Sequence, residues 1–200
     1  MTLSSLLKGG IRQVRLEDGT LVTLDAGTRL AVRFASGQRR IQLQAGRARF
    51  EVMHDAARPF VVAAGDREVV ATGTTFDVCL VDGRIEIALL KGKVDIRGMR
   101  AESAPAPVLV HLAAGQSLAL EPGASRAVPR PSKPGELGWA AGMIGFDGAP
   151  LREVIATANR YSARHIALAD PALGALKVTG GLKVGDPDAL ADALAGAFGL

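Results

Sequence analysis

The residues with the clearest chemical potential are Gly73 and Thr74, which lead into the alternating segment Phe76–Val78. A threonine hydroxyl can attack the carbonyl of the preceding residue through a five-membered ring, which turns the amide into an ester that water then hydrolyses. Such a shift needs a strained backbone and donors for the developing oxyanion, and glycine leaves its carbonyl open to attack. The pair is therefore a candidate for single-turnover self-cleavage between residues 73 and 74.

The sequence alone favours a simpler interpretation of the same pair. Gly73 then forms a bulge or turn, and Thr74 begins a strand, for which threonine has good propensity. Activation of the hydroxyl depends on tertiary strain, which a sequence does not show. Both interpretations stay open at this point.

Other residues that could do chemistry are few and scattered. His54, His111 and His165 lie far apart, and none has a partner at metal-ligand spacing. The only cysteine, Cys79, cannot form an internal disulfide and is opposite in phase to the apolar residues around it. The chain has no nucleophile elbow, phosphate loop or dinucleotide-binding motif. We therefore expect no metal, no cofactor and no conventional enzyme.

Composition limits the class of protein. The 200 residues are 48% hydrophobic and 22% charged, which favours a packed core over disorder. The net charge is only +4 and aromatic residues make up 4%, so binding of nucleic acid is not expected. No apolar run reaches the roughly 18 residues that a membrane-spanning helix needs.

Residues 11–121 alternate between apolar and polar side chains almost throughout, which predicts an all-β domain of short strands. Glycines separate the runs, as in Asp18-Gly19 and Asp82-Gly83, where Asp-Gly is typical of tight hairpins. A weak Leu-x-x-Gly repeat recurs at Leu43, Leu89 and Leu112. Repeated short strands of this kind fit either a β-solenoid-like body or a sandwich.

Residues 122–137 are rich in proline and predict an extended linker, after which residues 138–200 predict a small α+β lobe. Its order is βαββα, with strands at Met143–Phe146, His165–Leu168 and Lys177–Leu182. Pro150 opens the first helix, and Asp186 caps the second. The two helical stripes are Leu151, Val154, Ile155 and Ala158, and Leu190, Leu194, Ala197 and Phe198. This lobe is expected to lack its terminal strands.

An ordered series of motifs resembles the periplasmic region of FecR-type anti-sigma regulators. The motifs of the β region are Val14-Arg15-Leu16-x-Asp18-Gly19-Thr20, Leu43-x-x-Gly46-x-Ala48-x-Phe50-x-Val52, Arg58-Pro59-Phe60-x-Val62, Ala71-x-Gly73-Thr74-x-Phe76-x-Val78 and Leu112-x-x-Gly115-Gln116. The lobe resembles the amino-terminal fold of secretins and TonB-dependent receptors. Its motifs are Trp139-x-x-Gly142, Pro150-Leu151-x-Glu153-Val154 and Asn159-Arg160-Tyr161.

The resemblance implies the periplasmic, soluble portion of an inner-membrane protein that works in cell-surface signalling. Its partner would be the amino-terminal signalling domain of a TonB-dependent ferric-siderophore receptor in the outer membrane. Periplasmic proteases would then release a sigma factor that switches on iron-transport genes. The cytoplasmic domain that binds the sigma factor is expected to be absent here. Some members look to be self-cleaving at the bond that corresponds to Gly73–Thr74.

Three aromatic residues of the lobe are candidates for partner binding, namely Trp139, Phe146 and Tyr161. Packing within the lobe is the better-supported role for Trp139 and Tyr161. An alternative function for the whole chain is a carbohydrate- or envelope-binding β domain without catalytic activity, which a concave face with several aromatic side chains would favour.

Overall fold

The computed structural model describes residues 2–4, 10–98, 107–124 and 127–199. The chain divides into two compact units, whose main parts are residues 12–132 and residues 133–200. The first is built from strands and the second is α+β, so the expected fold class is confirmed. In the described part of the first unit no helix interrupts the strands.

Thirteen strands of the first unit join in one hydrogen-bonded sheet. They are β1 (Thr2–Ser4), β2 (Arg12–Arg15), β3 (Leu21–Leu24), β4 (Arg29–Phe34), β5 (Arg39–Glu51), β6 (Phe60–Ala64), β7 (Arg67–Ala71), β8 (Thr75–Val81), β9 (Arg84–Lys91), β10 (Lys93–Gly98), β11 (Val108–Ala113), β12 (Gln116–Leu120) and β13 (Arg130–Pro131).

Strand β5 links the two halves of this sheet. The first part of β5 pairs with β4 and, in parallel, with β6, whereas its second part pairs with β3 and β8. Gly46 lies where the pairing changes and has φ of +88°; a Cβ there would come within 2.6 Å of the Thr28 Cα. Glycine is therefore needed at the bend for both its conformation and its lack of a side chain.

The two halves of the sheet share a single core, to which both contribute buried aliphatic and aromatic side chains. Phe50 lies at its centre, with ring centroids 5.7 Å from Phe60 and 5.4 Å from Phe76. Among the described pairings only β5–β6 is parallel. A curled antiparallel sheet that closes on one core is the sandwich alternative rather than the solenoid-like one.

Two parts of the predicted linker, residues 122–137, form regular structure. Arg130–Pro131 pairs with Gln116 and Ser117, and residues Pro134–Leu137 form the short helix α1. The sequence did not predict this strand, because two residues are too few to show an alternation of apolar and polar side chains.

The second unit alternates strands and helices. After α1 come a 3₁₀ turn (Trp139–Ala141), β14 (Met143–Pro150), α2 (Leu151–Arg160), a second 3₁₀ turn (Pro171–Ala175), β15 (Lys177–Lys183) and α3 (Pro187–Phe198). Strands β14 and β15 form a two-stranded antiparallel sheet. Pro150 is the last residue of β14 and lies at the N-cap position of α2, one residue before the first helical position that the prediction gave it.

The predicted strand His165–Leu168 is wrong. Asn159, in α2, holds this segment instead: its side-chain Nδ2 donates to the Ile166 carbonyl at 2.9 Å, and its Oδ1 accepts from the Ile166 N–H at 2.8 Å. One amide side chain thus satisfies both backbone groups of Ile166 that a neighbouring strand would have paired. Ile166 and Leu168 still pack on the unit's core, which explains their alternating pattern.

The helix stripes are largely confirmed. All four stripe residues of α2 are buried, and Asp186 caps α3 by accepting a hydrogen bond from the Ala189 N–H. In α3, Leu194 is buried and Leu190 and Phe198 pack against the same core. Ala197 is exposed, contrary to the prediction, because its position falls at the margin of the stripe.

Candidate functional site

Gly73 and Thr74 lie in the connection between β7 and β8. This connection runs beside the residues that follow β5. The Val52 N–H donates to the Thr74 carbonyl at 2.9 Å, and the Asp55 N–H donates to the Thr72 carbonyl at 2.9 Å. Hydrogen bonds therefore fix the backbone on both sides of the Gly73–Thr74 bond. The Gly73–Thr74 bond therefore has a fixed position relative to the residues that follow β5.

The Thr74 hydroxyl is buried and lacks a described partner. The residue is 5% exposed, and its Oγ1 has no hydrogen-bond partner among the described residues. A buried polar atom without a partner costs about 1–3 kcal/mol of stability. A hydroxyl that makes no other hydrogen bond also keeps its lone pairs free for attack on a carbonyl.

Gly73 lies against the side chain and backbone of His54. A Cβ placed on Gly73 would come within 2.7 Å of His54 Nδ1 and within 3.1 Å of His54 Cα. On the other side, a Cβ on Gly92, whose φ is +87°, would come within 2.8 Å of Thr74 Cγ2 and 3.5 Å of the Gly73 carbonyl oxygen. Two glycines thus allow the close approach of three chain segments around one peptide bond.

Arg39 fixes both ends of the loop that carries His54. Its guanidinium donates to the carbonyls of Met53 and Arg58, each at 2.8 Å, and forms a buried ion pair with Asp18 at 2.8 Å. The guanidinium carbon also lies 5.5 Å from the centre of the Phe60 ring. Because the bonds span the loop, Arg39 holds His54 in place against Gly73.

Asp55 also stabilises this loop through hydrogen bonds. Its carboxylate accepts from the N–H groups of Ala57 and Arg58 and from the Arg58 side chain. The hydrogen bond from the Arg58 side chain is the main cause of the lowered pKa of Asp55. The carboxylate is therefore ionised and engaged at neutral pH.

All these residues fall within one family match. The family model described as FecR protein matches residues 4–95. These residues are therefore similar to the FecR family. The match confirms the resemblance of the β region to FecR-type regulators and supports a role in signal regulation, and we refer below to residues 4–95 as the FecR segment.

Two solved structures share the fold of the FecR segment and the unit that follows it. Both are crystal structures of a candidate anti-sigma factor from Parabacteroides distasonis, with TM-scores of 0.75 and 0.74 at 23% and 24% sequence identity. Each alignment covers 100% of this chain and 92% of the other. A comparison with curated proteins finds no match.

Three residues that shape the site in the FecR segment carry no sequence signal of that role. His54 lies 19 positions from Gly73, Gly92 reads as a turn residue, and Arg39 lies in a basic pair with Arg40. Only the pairing of β5 with β8 and the turn between β9 and β10 bring them together. The predicted residues Gly73 and Thr74 are adjacent in sequence, so the structure adds their surroundings.

The aromatic candidates of the second unit are mostly buried. Trp139 is 1% exposed and Tyr161 4%, whereas Phe146 is half-buried against the core of that unit. Their part in partner binding stays a prediction. No described Phe, Trp or Tyr in the chain is exposed, which gives no support to a carbohydrate-binding aromatic face.

The described residues contain no group of three or more histidine, cysteine or acidic side chains that could hold a metal ion. None of their helices combines the length and the apolar character that crossing a bilayer requires.

Replacing Gly73 with alanine is expected to lower the free energy of unfolding of the first unit by about 1–3 kcal/mol, because the new Cβ would overlap His54. Urea denaturation followed by far-ultraviolet circular dichroism measures the change. Gly37→Ala is the matched control, since a Cβ at Gly37 meets nothing within 4 Å. Equal stabilities of the two variants would contradict the close packing at Gly73.

Proposed function

We propose that this chain is the periplasmic signal-receiving part of a membrane-anchored regulator that controls a sigma factor. The observation that carries the proposal is the FecR match over residues 4–95, together with the α+β unit that follows. In this account a separate cytoplasmic region of the regulator binds the sigma factor. Periplasmic proteases complete the release after the signal arrives.

The signal in this proposal comes from the amino-terminal signalling domain of a TonB-dependent receptor that imports ferric siderophores. Strand β15 is the docking edge we favour. Among the described residues it pairs only with β14. Most of its residues are exposed, and two of them, Gly180 and Gly181, are glycines without a side chain that could block a partner strand. An edge of this kind accepts a partner strand through main-chain hydrogen bonds.

Titration of the chain, with any terminal strands of the lobe restored, against the receptor's signalling domain is expected to show binding below about 100 μM. Hydrogen exchange then locates the contact. The amides of β15 should become protected, while those of β11, a strand at the end of the first unit's sheet, should not change. No binding at that concentration, or protection confined to β11, would reject the docking proposal.

We also propose a second function, single-turnover self-cleavage at Gly73–Thr74, because the Thr74 hydroxyl is buried and has no hydrogen-bond partner in the part of the chain that the structure describes. Attack of Oγ1 on the Gly73 carbonyl carbon forms an ester and frees the Thr74 amine. Water then hydrolyses the ester, which leaves a carboxylate on Gly73 and restores the hydroxyl of Thr74.

The two products would remain associated. The cut falls between β7 and β8, yet β8 pairs with β5 and β10 pairs with β7 across it. The core is also built from residues on both sides of the bond. Cleavage therefore removes the covalent link while the fold is kept, so that separation requires unfolding of the sheet, as a pulling force or a protease would cause.

A further inference from the structure

His54 is a titratable side chain that lies directly against the residue whose carbonyl would react. From the 2.7 Å between His54 Nδ1 and a Cβ placed on Gly73, ordinary bond lengths put Nδ1 within about 5 Å of the Gly73 carbonyl carbon. His54 is also exposed, so water can reach its imidazole. A general base needs to be within hydrogen-bond reach of the proton it takes, directly or through one water.

The ionisable groups next to His54 already have hydrogen-bond or ion-pair partners. Asp55 is engaged by Arg58 and by two backbone N–H groups, and Arg39 is engaged by Asp18 and two carbonyls. These same contacts fix the loop on which His54 lies. His54 is thus positioned by the groups around it. Arg39 is a cation that has no site to accept a proton, and Asp55 could accept one only by losing a hydrogen bond.

We propose that His54 is the catalytic residue that transfers protons during cleavage of the Gly73–Thr74 bond, an assignment that rests on the self-cleavage proposed above. Because Thr74 Oγ1 has no direct hydrogen-bond partner among the described residues, His54 takes the hydroxyl proton through one bridging water as Oγ1 forms a bond to the Gly73 carbonyl carbon. The resulting oxyanion collapses and breaks the bond to the Thr74 nitrogen, which receives the proton from His54. No cofactor or oxidant enters, and the only co-reactant is the water that hydrolyses the ester.

The test follows cleavage of the full chain by intact mass spectrometry after refolding from urea. We expect His54→Ala to slow cleavage by at least about 100-fold, the usual loss when a general base is removed. Added imidazole should restore much of the rate, because it can enter the exposed space that the side chain leaves. His111→Ala, which removes another exposed histidine from the same unit, should cleave at the wild-type rate.

The possible results distinguish the role of His54 from self-cleavage itself. A wild-type chain that never cleaves overturns self-cleavage and the role of His54 together. A wild type that cleaves while His54→Ala cleaves equally fast overturns only the role of His54. A slow His54→Ala that imidazole does not restore, while its thermal midpoint matches the wild type, also overturns proton transfer by this side chain.

Discussion

Replacing Arg39 with methionine is expected to lower the free energy of unfolding of the first unit by about 3–5 kcal/mol, the usual cost of breaking a buried ion pair. The side chains of Arg39 and Asp18 are only 1% and 5% exposed. Methionine fills much of the same volume but donates no hydrogen bonds. The Asp18 carboxylate and the carbonyls of Met53 and Arg58 would therefore lose a buried partner. Urea denaturation followed by far-ultraviolet circular dichroism measures the loss.

Arg84→Met is the matched control for this experiment. Arg84 pairs with Glu86 and Glu121 at the surface, where its side chain is 49% exposed, so its loss should cost less than about 1 kcal/mol. The double variant Arg39→Met with Asp18→Asn should recover part of the loss because no buried charge is then left without a partner. Equal effects at Arg39 and Arg84 would show that the buried cluster does not hold the loop.

Replacing Thr74 with valine is expected to abolish cleavage and, at the same time, to raise the free energy of unfolding by about 1–3 kcal/mol. Valine keeps the shape of threonine but removes a buried hydroxyl that has no partner among the described residues. Mass spectrometry measures the first effect, and urea denaturation of the uncleaved chain the second. Thr74→Ala should likewise stop cleavage, whereas Thr74→Ser keeps a nucleophile and should cleave.

Thr28→Val is the control, and it is expected to change the free energy of unfolding in the opposite direction. The buried Thr28 hydroxyl donates to the Arg47 carbonyl at 2.8 Å and accepts from the Arg47 N–H at 3.0 Å. Thr28→Val should therefore lower the free energy of unfolding by about 1–3 kcal/mol. If Thr74→Val were destabilising as well, the hydroxyl of Thr74 would have a partner in solution, and its readiness to react would be in doubt.

The β fold of the first unit could be predicted because its local signals are strong. Alternation of apolar residues identified most of the strands, and the glycines of the Leu-x-x-Gly repeat, Gly46, Gly92 and Gly115, all adopt positive φ between +81° and +88°. The choice between solenoid and sandwich was not predictable. It depends on which distant strands pair, as when β5 joins β6 on one side and β8 on the other.

The second unit shows where a local pattern misleads. Ile166 and Leu168 alternate as a strand would, yet the side chain of Asn159 satisfies the backbone of Ile166. An asparagine that substitutes for a strand neighbour is invisible to hydrophobic periodicity. Helix α3 was easier to predict, because Asp186 and Pro187 form a start signal that the structure reproduces.

Only part of the candidate site could be predicted from the sequence. Gly73 and Thr74 stand out because the reaction needs adjacent residues. His54, Arg39 and Gly92 reach the bond only through the folded sheet, and none of them forms a motif with it. The burial of the Thr74 hydroxyl and its lack of a partner among the described residues are likewise tertiary properties, and the proposal of self-cleavage rests on them.

The most direct test of a processed signalling module is the intact mass of the purified full chain after long incubation at neutral pH. The account predicts two fragments, one ending at Gly73 and the other beginning at Thr74, which elute together until the protein is denatured. Hydroxylamine should speed the cut and leave a hydroxamate on Gly73, because it attacks the ester intermediate. A single species at the full 20.7 kDa, with hydroxylamine and without it, would contradict the account.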